Sequence, residues 1–189
     1  MKYIEDSKTT LGFWIYIMTD CVIFASLFAT FAVLRGNTFG GPSEHELFSL
    51  PFVLVETLIL LTSSFACGLA VMAARRKDVR QTLIFLLITM LLGAAFLGLE
   101  LQEFTELIHE GNSWERSAFL SAFFALVGTH GLHITVGLLW AGFLAIRIAM
   151  GKLNYTTIKR LALFSLFWHF LDIVWIFIFT IVYLMGVAL

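Results

Sequence analysis

Charge is scarce in this chain. Only 13% of its 189 residues are Asp, Glu, Lys or Arg and 60% are hydrophobic, where soluble domains carry about 25% charge. That balance excludes a soluble globular domain and leaves an integral membrane protein. Proline is nearly absent, with two residues in all. No linker or low-complexity tract interrupts the chain, so residues 1–189 read as one domain. Two cysteines, Cys21 and Cys67, both lie inside apolar runs and outside any CxxC. A disulfide framework and a zinc ribbon are thereby excluded, and both residues read as small packing groups. Five histidines are too few for a histidine-box membrane oxygenase.

What the chain does have is long apolar runs, rich in phenylalanine. A spanning helix needs about 20 apolar residues. Five segments qualify, at about 11–34, 50–74, 81–108, 117–146 and 161–186. The class is therefore all-α, a bundle of five transmembrane helices. Pro51 sits in the first turn of the second, where its missing N–H costs nothing. The first run is too long for a signal-peptide core and lacks a small-x-small cleavage site, so it is expected to be retained. Connections are short, including a Gly40-Gly41-Pro42 turn, and short loops make sequential helices antiparallel. Of the 12 lysines and arginines, only Arg35 and Arg116 fall on one side. Positive charge stays inside, which predicts a cytoplasmic N-terminus and a periplasmic C-terminus.

Helix direction and a rise of about 1.5 Å per residue assign each intramembrane polar group a depth. Asp20, His130, His133, His169 and Asp172 share the midplane. Glu56, Glu100 and Glu103 form a second tier in the outer half. Faces follow from about 100° per residue. Glu56, Ser63, Cys67, Ala70 and Ala74 share one stripe. Gly93, Glu100, Glu103 and Leu107 share another. Ser165, His169, Asp172, Ile176 and Tyr183 share a third. Acids beside small residues mark helix–helix contacts rather than lipid faces. In the fourth helix, Ser121, Gly128, Gly131, Thr135 and Gly142 lie opposite His130, His133 and Gly137. Both faces read as protein-facing, so this helix is expected between neighbours. Asp20 is expected to meet the His169/Asp172 face, because an unpaired buried charge is expensive.

Several chemistries compete for these groups. A di-iron carboxylate site needs paired Glu-x-x-His strings, and Glu106-Leu-Ile-His109 stands alone at a helix end. A haem would take His130 with His169, but His130 and His133 on one helix cannot straddle the same haem. A proton relay needs groups stepped through the membrane, and the inner half has few. No nucleophile elbow or phosphate loop is present. The basic loop Arg75-Arg76-Lys77-Asp78-Val79-Arg80 is first a topology signal, compatible with anionic lipid head groups. The favoured reading is a hydrogen-bonded interhelical network that fixes packing. The alternative is a small proton-coupled transporter or channel, which broken helices and paired repeats would support; neither is evident. Neither catalytic residues nor a metal or cofactor site is expected here, and nucleic acid is not an expected partner.

Longer strings carry a resemblance. Phe123-Phe124-Ala125-Leu126-Val127-Gly128-Thr129-His130-Gly131-Leu132-His133 resembles the signature helix of subunit III of the haem–copper respiratory oxidases. Phe167-Trp168-His169-Phe170-Leu171-Asp172-Ile173-Val174-Trp175 resembles that family's last helix. Leu11-Gly12-Phe13-Trp14, running through Asp20 to Phe31, resembles the helix that carries its buried acid. The likeness covers nearly the whole chain. Longer members have seven helices; this chain lacks the first two and has Asp20 where relatives often have Glu. Its five-helix form, with Met18-Thr19-Asp20-Cys21 and Val55-Glu56-Thr57, is most similar to the cytochrome bo-type ubiquinol oxidase branch, ahead of the menaquinol branch. The resemblance implies a non-catalytic subunit of a proton-pumping quinol oxidase in the bacterial inner membrane. It implies haems and copper in subunit I and none in this chain. Subunit I and phospholipids would be partners, and the role would be assembly and stability, with a possible approach for oxygen. Extra helices of subunit I are implied where the first two helices are missing, so specific lipid ligands are not carried over.

Overall fold

A computed structural model describes residues 2–36 and 50–185. The Gly40-Gly41-Pro42 turn and the end of the last span at Gly186 lie outside the described residues. The architecture is all-α. It comprises α1 (Lys2–Leu34), α2 (Leu50–Arg75), α3 (Val79–His109), α4 (Ala118–Ala149) and α5 (Tyr155–Ile178). After Ile178 the last helix widens into a π-helical turn over Phe179–Leu184. All five are long and apolar enough to cross a membrane, which makes the chain a multi-pass membrane protein.

Helix ends follow capping chemistry more closely than hydropathy. Asp78 accepts from the Gln81 N–H, Ser117 from Leu120 and Asn154 from Thr157. Each satisfies a first-turn donor that has no intrahelical partner. Asn154 therefore starts α5 at Tyr155, ahead of the apolar run at 161. Likewise α1 begins at Lys2 rather than at 11, because a polar first stretch continues a helix readily once the apolar part has nucleated it. Glycines with φ of +80° at Gly111 and +71° at Gly151 follow α3 and α4, the left-handed step that ends many helices. Arg116 Nη1 donates to Asn112 Oδ1 at 2.5 Å, and Ser121 donates to the Trp114 carbonyl. Together they fasten the α3–α4 turn.

The packing is not a ring of five. Helices α2 to α5 close a ring of four, each touching the next, with α5 returning to α2. The α2–α3 pair is the most extensive. Helix α1 lies outside this ring, against α4 and more lightly against α5. The core between the four is aromatic, with Phe96, Phe119, Phe123, Phe164, Phe167, Trp168, Trp175 and Tyr183 all fully buried.

Helix α4 differs from expectation. Its histidine side meets protein, but the small-residue stripe does so only in part: Gly131 is buried and Gly128 and Gly142 half-buried, while Ser121 and Thr135 are exposed. Beside that stripe Leu132 is 64% and Leu139 72% exposed in this chain, with Val136 and Phe143 next to them. Small residues allow a close helix contact but meet protein only where a neighbouring helix covers them. Ile176 of α5 also lies at the surface, off the stripe assigned to it.

Candidate functional site

Two tryptophans of α5 reach polar partners on α2. Trp168 stands where four helices meet. Its Nε1–H donates to Ser63 Oγ at 3.1 Å, and Ser63 Oγ–H donates to the Thr89 carbonyl at 3.0 Å. Its ring edge runs along two glycines. A Cβ on Gly93 of α3 would lie 2.8 Å from Trp168, and one on Gly137 of α4 would lie 2.7 Å from it. One indole thus touches α2, α3 and α4 from α5. Two turns on, Trp175 Nε1–H donates to Thr57 Oγ1 at 3.0 Å. Its ring packs edge-on to Phe96, centroids 4.6 Å apart, and stacks with His130 at 5.3 Å. Burying an indole is favourable when its N–H finds an acceptor, and both find hydroxyls of α2.

Of the eight polar residues singled out from the sequence, seven fall into three separate places and His130 stands apart. Asp20 Oδ1 of α1 lies 3.6 Å from His133 Nε2 of α4. His133 Nδ1–H donates to the Thr129 carbonyl at 2.7 Å, which fixes the ring and turns Nε2 towards Asp20. The expected meeting of Asp20 with the His169/Asp172 face is thus replaced by a pair with α4, because α4 is the helix on which α1 chiefly rests. His169 and Asp172 turn to α2 instead. His169 Nδ1 and Ser64 Oγ are hydrogen-bonded at 2.6 Å, and Asp172 lies beside the same serine.

Glu56, Glu100 and Glu103 form the third place, towards the N-terminal end of α2 and the C-terminal end of α3. They lie close enough to interact electrostatically. Tyr183, carried by the π-helical turn, donates from Oη to Glu103 Oε2 at 3.0 Å. The Glu100 carboxyl rests on the α4 backbone, where a Cβ on Gly131 would come within 2.7 Å of Oε1. His130 belongs to none of these pairs. It is fully buried among Phe24, Phe96 and Trp175. Neither ring nitrogen has a hydrogen-bond partner among the described residues.

Of the hydroxyls that receive these groups, Ser63 lies on the inward stripe expected of α2, whereas Thr57 and Ser64 lie off it. Thr57, Ser63 and Ser64 on α2 are the acceptors and partners for Trp175, Trp168 and His169. A signal existed. The tryptophans are seven residues apart and their hydroxyls six, close to two helical turns on antiparallel neighbours. Gly93, Gly131 and Gly137 likewise act as sockets for Trp168 and Glu100 as well as small packing residues. Among the described residues, no group of three or more His, Cys, Asp or Glu side chains is placed to hold a metal ion. Glu106 bonds Gln102 at 2.9 Å on the exposed side of α3, away from the ring's interior.

Five apolar helices joined by buried hydroxyl, indole, imidazole and carboxyl contacts define a helical membrane subunit whose polar residues tie helices together. Comparison with known proteins specifies the family. The cytochrome c oxidase subunit III family model matches residues 5–187, and the chain belongs to that family. It is 56% identical over 179 residues to the cytochrome bo(3) ubiquinol oxidase subunit 3 of Pseudomonas aeruginosa, covering 95% of this chain and 86% of that one. It is 48% identical to the cytochrome c oxidase subunit 3 of Bacillus sp. PS3, covering 98% and 89% of the two chains. The quinol oxidase subunit 3 of Bacillus subtilis is also 48% identical, with 94% and 87% covered.

Proposed function

We propose that this chain is the third subunit of a cytochrome bo-type, proton-pumping ubiquinol oxidase in a bacterial cytoplasmic membrane. The observation that carries the reading is the 56% identity to a ubiquinol oxidase subunit over nearly the full length of both chains. The 48% identity to cytochrome c and other quinol oxidase subunits sets those donors second. Haems and copper belong to subunit I in this reading, and electron transfer happens there. This chain's residues hold helices in register: Trp168 and Trp175 tie α5 to α2, and Asp20 ties α1 to α4. The role is to support assembly and stability beside subunit I and phospholipid. The charge distribution supports an N-terminus on the cytoplasmic side.

Affinity purification through a tag on this chain tests the reading. The expected result is co-purification of a haem-bearing subunit and oxygen consumption driven by ubiquinol. Recovery without a haem protein, or with an oxidase that accepts only cytochrome c or menaquinol, overturns it. A tag at the N-terminus should be cleaved in inside-out vesicles and protected in right-side-out spheroplasts.

A further inference from the structure

The glutamate end of the bundle carries more unsatisfied oxygen than helix packing requires. Glu56 is 0% and Glu100 1% exposed, and both carboxyl oxygens of each have no hydrogen-bond partner among the described residues. Buried polar atoms are bonded in the great majority of cases, and exceptions point to water or an ion. Two further features show that the surrounding space is built. Gly131 leaves room for the Glu100 carboxyl that a Cβ would take. The switch of α5 to π-helical pitch delivers Tyr183, fully buried, onto Glu103. Such turns occur frequently at functional sites.

Titratable groups reach this region from four helices. Glu56 comes from α2, and Glu100 and Glu103 from α3, with Glu106 acting on Glu103. Helix α4 brings His130, next to Gly131, and α5 brings Tyr183. The acid of α1, Asp20, is engaged with His133. Three carboxylates in a low-dielectric interior cannot all be ionised together. A neutral carboxyl needs an acceptor for its O–H as well as a donor for its C=O, and one water supplies both. A divalent cation would need several oxygens converging at about 2.0–2.6 Å. No such group is placed among the described residues.

We propose that Glu56, Glu100, Glu103 and Tyr183 enclose a proton-binding site that holds water, with Glu100 as its exchanging acid. The O–H bond of the Glu100 carboxyl breaks and its proton passes to a water oxygen, leaving the carboxylate and a protonated water. Return of the proton restores the acid, with no change of oxidation state. This goes beyond the role in assembly, and it does not depend on which donor the assembly oxidises.

The test is infrared spectroscopy on the solubilised assembly that contains this chain, in H2O and D2O. At neutral pH a carboxylic-acid C=O band is expected, moving to lower frequency within minutes of transfer to D2O. Glu100→Gln should remove its largest component, Glu56→Gln a smaller one, and Tyr183→Phe should shift the component of Glu103. An acid band in D2O that does not move after hours shows a dry cluster and overturns the proposal. So does a spectrum unchanged by Glu100→Gln, or a stoichiometric metal ion, other than haem iron and copper, whose removal by chelation changes the Glu100 component. Where Glu100→Gln does not assemble, Glu100→Asp keeps the acid and should change the frequency of the same exchanging component; no change in it overturns the proposal equally.

Discussion

At the residue scale the bundle depends on Trp168. Its six-membered ring edge runs against Gly93 and Gly137, and a large rigid ring cannot give way as a flexible side chain would. Gly137→Ala is expected to destabilise the bundle by about 1–3 kcal/mol, the usual cost of overpacking. The measurement is the thermal unfolding midpoint of the detergent-solubilised assembly. Ser63→Ala leaves a buried indole N–H without its acceptor and should cost about 1–3 kcal/mol. Trp168→Phe in the same background should then cost less than it does in wild type, as a double-mutant cycle on the unfolding free energies will show. Equal costs would mean that the 3.1 Å contact contributes nothing. Cysteine supplies a simpler check: Cys21 is exposed in this chain and Cys67 buried. In the dispersed subunit, an apolar, membrane-permeant maleimide should label Cys21 more readily than Cys67.

At the element scale, α1 differs from the other four. It rests on one edge of the ring, and the Asp20–His133 pair is the polar link between it and α4. Asp20→Ala leaves a half-buried imidazole without its carboxylate. It should lower the amount of this subunit recovered with the assembly more than it lowers turnover per assembled haem, measured by quantitative blotting beside oxygen uptake. Equal losses would place Asp20 in the chemistry. The sequence makes the five spans plain, because twenty apolar residues in a row have few other uses. Their stripes are plain too: Glu56, Ser63, Cys67, Ala70 and Ala74 all turn inward. Which stripe meets which is another matter. Asp20 and His169 fit a common depth, yet depth fixes one coordinate only. The azimuth that turns Asp20 to His133 and His169 to Ser64 comes from the mutual packing of all the helices. The outer position of α1 is equally hidden, since its hydropathy matches that of helices inside the ring. Helix ends depart from the apolar run where a cap, such as Asn154, precedes it.

At the scale of the whole molecule, a ring of four helices with a fifth at its side suits a subunit that works inside a larger complex. Large apolar side chains on α1 and α4, among them Val22, Val33, Leu132 and Leu139, remain exposed in the single chain. If the chain's role is assembly, its deletion should reduce the yield of haem-bearing complex more than the specific activity of what remains, as haem spectra normalised to membrane protein will report. The placement of α1 also bears on biosynthesis. Chains are made from the N-terminus at about 5–20 residues per second, so α1 enters the bilayer ahead of its docking partner α4, with α2 and α3 between them. Throughout that interval the Asp20 carboxyl has no His133 to meet. Because a lone acid in lipid is costly, α1 is expected to stay beside the insertion machinery or another subunit until α4 follows.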